Sequence, residues 1–176
     1  MFDSVRDLLK EMMRVKADAC LILENHKTGE KRIIWGRNIV TNAGDIWYAQ
    51  RAAGETPTND FNSLYLASNG PDPVGKSDNY DSFTVISGSE KLVSSGYPKT
   101  NDDDPDNTGS GADVVTWLFE YATSDGPFNN VTHSFISVAG AGSGSDILNS
   151  YKWSESWSKD SSTSAKIFAN HTMNGV

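Results

Sequence analysis

Residues 113–122 read Asp-Val-Val-Thr-Trp-Leu-Phe-Glu-Tyr-Ala, and the two-residue period of a strand sorts them into two faces. Val115, Trp117, Phe119 and Tyr121 fall on one face; Val114, Thr116, Leu118 and Glu120 fall on the other. A face carrying three large aromatic rings needs a covering layer, which commits the chain to layered β architecture. Shorter runs of the same character recur along the chain. Residues 20–24 and 32–35 flank a polar loop containing Gly29, the pattern of a β-hairpin, and 39–41 continues the extended chain. Further strands are expected over 63–67, 83–86, 91–93, 131–138, 147–153 and 164–171, separated by turns rich in Gly, Pro, Asn, Asp and Ser.

Two stretches carry a helical period instead. Phe2, Val5, Leu9 and Met12 recur at helical spacing, with Leu8 and Met13 widening the stripe and Arg14 and Lys16 suiting the C-terminal end of the helix dipole. Residues 45–53 predict a short internal helix, with Gly54 in place for the C′ position and Pro57 preventing its resumption. The expected fold is mainly β: an antiparallel β-sandwich, jelly-roll-like, with an N-terminal amphipathic helix and one short internal helix. The division is an N-terminal helical arm over 1–17 and a β-sandwich domain over 18–176.

A chain of 176 residues suits a single domain. Its formal charge of −8 disfavours direct nucleic-acid binding, which requires clustered Lys and Arg. No apolar run approaches the roughly 20 residues of a membrane-spanning helix. Charges scattered through the first residues do not form a secretory leader, so a reducing compartment is expected. The single cysteine, Cys20, sits in an apolar run and reads as a buried thiol.

Little in the sequence points to catalysis. The three histidines, His26, His133 and His171, share no ligand spacing. The stretch 140–145 (Gly-Ala-Gly-Ser-Gly-Ser) lies between two expected strands with no helix behind it, so it is a turn rather than a nucleophile elbow. Asp102, Asp104 and Asp106 alternate like the first ligands of a Ca²⁺ loop. Asn107 stands where that loop's sharp turn needs Gly, so a solvated hairpin competes with a cation site. No other cofactor is suggested, and the chain reads as not an enzyme. Trp35, Trp47 and Trp117 are expected in the core. Trp153 and Trp157 are open to core packing, a protein interface or stacking on sugar rings.

The order of these parts resembles a group of tailed-bacteriophage virion proteins. The resemblance rests on the hairpin followed by Asn38-Ile39-Val40-Thr41-Asn42-Ala43-Gly44 and a short helix. It continues through FNSLYLASNG, ADVVTWLFEYATSDG and VTHSFISVAGAGSGSDILNSYKW to a Ser/Thr-rich last strand. It implies a structural virion protein, first of all a head decoration (cement) protein that binds the outer shell and bridges capsomers. Its partners would be the major capsid protein and copies of itself, as dimer or trimer. It would reside in the virion, assembled in the bacterial host cytoplasm. Phe2, Val5, Leu9, Met12, Met13, Trp153 and Trp157 are the candidate oligomer or capsid interface. The alternatives are a tail, fibre or baseplate component that contacts the host, or a carbohydrate- or ion-binding module.

Overall fold

The structure, a computed structural model, describes residues 15–100 and 114–173. Nine strands and one α-helix are placed among them. These are β1 (Val15–Asn25), β2 (Lys31–Val40), α1 (Asn42–Ala52), β3 (Phe61–Asn69), β4 (Thr84–Val85), β5 (Lys91–Leu92), β6 (Val114–Tyr121), β7 (Phe128–Val138), β8 (Ile147–Lys159) and β9 (Thr163–Met173). The expected N-terminal helix lies outside the described residues, and the expected boundary of the arm at residue 17 falls inside β1.

All nine strands belong to one antiparallel sheet, in the order β4-β3-β7-β8-β2-β1-β9-β6 with β5 beside β3. The expected sandwich of two sheets is therefore replaced by a single sheet curled into a half-barrel. Long strands of 11 and 13 residues twist enough to let one sheet wrap its own core. The short β5 spans the gap between the ends. It pairs with β3 through Ser63 and Leu64, and the next residue but one, Ser94, donates its N–H to the Leu118 carbonyl of β6 at 2.8 Å.

Alternation decides what fills the inside. Leu21 and Leu23 of β1, Ile34 of β2, Trp117 and Phe119 of β6, Trp153 of β8 and Ile167 and Ala169 of β9 form the main core. Helix α1 closes this core by inserting Trp47, whose ring lies 6.0 Å from Trp117 and 6.4 Å from Phe61. Two smaller clusters sit on the other face of the sheet. Residues 80–85 fold over β3 and β7, where Phe83 and Tyr80 pack on Phe135. At the far side, Cys20, Phe168 and Leu118 are cross-strand neighbours on β1, β9 and β6, with Tyr97 against them. Cys20 is buried, as expected.

Candidate functional site

The strands bring together a polar centre inside the half-barrel. His171 of β9 is fully buried, and Tyr48 of α1, Asn149 and Tyr151 of β8 and Asn38 of β2 all reach its ring. One backbone group orders the set. The Ile136 N–H donates to Asn149 Oδ1 at 3.2 Å, which turns the Asn149 amide nitrogen toward Tyr151 Oη and His171 Nε2. With Nε2 accepting, the proton of the neutral ring sits on Nδ1 and is donated to Tyr48 Oη. Burial without a charged partner pushes the His171 pKa down to about 3 and the Tyr48 hydroxyl well above its ordinary value. A base so weak, with no exposed surface, is poorly matched to proton transfer near neutral pH. The arrangement instead ties α1, β2, β8 and β9 together.

No local sequence pattern points to this centre, because its members are scattered over four elements. A faint signal exists: His171 continues the inward series Ile167, Ala169, where an apolar residue is expected.

Trp35 departs from its expected place in the core, and the open choice for Trp153 and Trp157 falls to core packing. Trp153 and Trp157 are 3% and 2% exposed and meet edge to face at 6.3 Å, so they belong to the core and not to a surface. Trp153 fits because Gly36 opposes it on β2; a Cβ there would lie 3.0 Å from the indole. Trp47 and Trp117 are core, as expected, but Trp35 is 37% exposed. It points outward from β2 between Ile33, 48% exposed, and Arg37. The alternation Ile33, Trp35, Arg37 carries that signal, masked by the apolar Ile34 on the opposite face.

This exposed pair lies in the middle of the sheet's outer surface, between the two covered flanks. Ile22 on β1 adjoins Ile33 in register, and Cys20 adjoins Trp35. On the same face lie two ion pairs, Lys31–Glu24 at 3.5 Å and Lys166–Glu120 at 2.9 Å. Elsewhere an open cleft of about 290 Å³ separates α1 from the segment at Thr58–Asn59 and the turn at Asp146.

Phe2, Val5, Leu9, Met12, Met13, Asp102, Asp104 and Asp106 lie outside the described residues. Among the described residues no group of three His, Cys, Asp or Glu side chains is placed to hold a metal ion. Likewise, no described helix is long and apolar enough to cross a membrane. His26 lies in the exposed β1–β2 turn against Ser164, and His133 is held by the Pro71 carbonyl at 3.1 Å. No protein-family model matches the chain, and no curated protein or solved structure shows significant similarity to it.

Proposed function

We propose that the protein is a non-enzymatic structural component of a tailed-phage virion, a cement protein that binds the outer capsid shell and bridges neighbouring capsomers. The observation that carries this reading is the exposed pair Ile33 and Trp35, flanked on the same face by the ion pairs Lys31–Glu24 and Lys166–Glu120. An apolar centre with a charged rim is the anatomy of a protein interface, and Trp is enriched among residues that dominate binding energy. Both residues sit on the regular strand β2, so little conformational freedom is lost when a partner covers them. The partner is a capsid subunit presenting an apolar pocket with both charge signs at its edge. Copies of the protein occupying several subunits at once supply avidity. The formal charge of −8 disfavours adhesion to packaged DNA.

Co-sedimentation with particles stripped of the protein tests the proposal. Saturable rebinding to heads by the natural chain, lost in Trp35→Asp, is the expected result. Binding confined to tails would move the protein to the host-contact apparatus, and binding to neither would remove it from the particle surface.

A further inference from the structure

The cleft beside α1 has features that the virion reading does not use. Its walls are of two kinds. Ala43, Ile46 and Trp47 of α1 supply an apolar side, and Ile46 is 60% exposed there. Gln50, Thr58, Asn59 and Asp146 supply hydrogen-bonding groups that converge on the same space. The polar wall is pre-formed. The Trp47 indole N–H donates to the Asn59 carbonyl at 3.0 Å, and the Asn59 amide donates to Asp146 Oδ2 at 3.1 Å. These two bonds hold the segment and the turn at fixed distance from the helix.

We infer that this cleft binds a neutral sugar ring, gripped by Asp146, Asn59, Gln50 and Thr58 along its hydroxyls and by Ala43 and Ile46 on its C–H face. The chemistry of the lining selects the class. No Lys or Arg lines the cleft, and the nearby Arg51 guanidinium is stacked over the Trp47 ring at 5.1 Å, so a phosphate or carboxylate would meet Asp146 with no counter-charge in the lining. A single carboxylate, already engaged by Asn59, is too few oxygens for a hard cation. A ring of hydroxyls matches the set: a carboxylate accepts from hydroxyls, amides donate and accept in one plane, and an apolar wall covers the carbon skeleton. At about 290 Å³ the space sits at the small end of ligand sites, near roughly 300 Å³, which suits one ring with its neighbours in solvent.

The test titrates the full chain, labelled with ¹⁵N, with the methyl glycosides of glucose, galactose, mannose and N-acetylglucosamine. The result expected is saturable amide shifts confined to Ala43, Ile46, Gln50, Thr58 and Asp146 for at least one glycoside, with millimolar affinity. Gln50→Ala and Asp146→Asn should each weaken that binding by about tenfold without moving the melting temperature. Shifts that fail to saturate, that appear elsewhere on the protein, or that survive both substitutions would overturn the inference. Particle rebinding depends on Trp35 and not on this cleft, so the two proposals fail independently.

Discussion

Gly44 meets Leu148 backbone to backbone: a Cβ added to Gly44 would lie 2.1 Å from the Leu148 carbonyl oxygen and 2.7 Å from Val40 Cγ1. The contact explains the turn into α1. Thr41 is the N-cap, accepting the Gly44 N–H on its Oγ1 at 3.1 Å, while its own N–H donates to the Leu148 carbonyl at 3.0 Å. The hydroxyl also donates to Ile147 O on β8. Thr41 thus caps the helix and ties it to the sheet with one side chain. Gly44 is required for close approach and not for a positive φ, since it lies within the helix and outside the positive-φ set.

Gly44→Ala should therefore destabilise the protein by about 3 kcal/mol or more, because the atom it meets is backbone and cannot swing aside. The midpoint of urea unfolding measures this. A loss under about 1 kcal/mol would mean that α1 lifts from β8 at little cost.

Acid should weaken the fold through His171. Its folded pKa is about 3 against an ordinary 6.5, so between these values the unfolded chain binds a proton that the native chain does not. Stability then rises with pH across this window. The His171 contribution is complete above about pH 6.5 and is lost as pH falls, by roughly 1.4 kcal/mol per pH unit. His133, also lowered by burial, acts in the same sense. Asp125 and Glu120, held low by Lys91 and Lys166, add their own loss only in the more acid part of the range. Stability measured from pH 6.5 to 5 should slope downward toward acid, and His171→Gln, though less stable throughout, should flatten that slope. An unchanged slope in the variant would assign the acid sensitivity elsewhere.

The two kinds of tryptophan should respond oppositely. Trp153→Ala removes a ring buried to 3% and should cost about 3–5 kcal/mol. Trp35→Asp, at the outer face, should shift stability by less than about 1 kcal/mol while abolishing rebinding to stripped heads. Thermal melts and co-sedimentation on the same preparations separate the effects.

Lys159 holds the β6–β7 turn from inside. Its ammonium donates to the carbonyls of Thr123 and Asp160, each at 3.3 Å, and to that of Asp125, and burial pulls its pKa down. Lys159→Met keeps the stem but leaves the Thr123 and Asp125 carbonyls without this donor, while Asp160 O keeps the Thr163 N–H, and should cost about 1–3 kcal/mol by chemical denaturation.

Local pattern carried much of this architecture. Alternation over 113–122 fixes β6 and its inward rings Trp117, Phe119 and Tyr121, and the Gly29 loop marks the β1–β2 hairpin. Gly54, at φ +74°, ends α1 where the sequence places the C′ residue. These features depend on neighbours a few residues apart, so their causes are present in any short window of sequence.

Other features have causes far apart in the chain. Whether eight or nine strands make two sheets or one curled sheet depends on β2 meeting β8 and β1 meeting β9, pairings that no local period encodes. Trp153 is inside because Gly36 leaves it room, and Trp35 is outside because Ile34 on the same strand already faces the core. His171 finds its four polar partners only when β2, β8, β9 and α1 converge. The sequence by itself determined the elements, through backbone preference and the period of apolar residues. Tertiary structure decided which face of each element is inside, because burial is settled by the sum of distant contacts and not by any one of them.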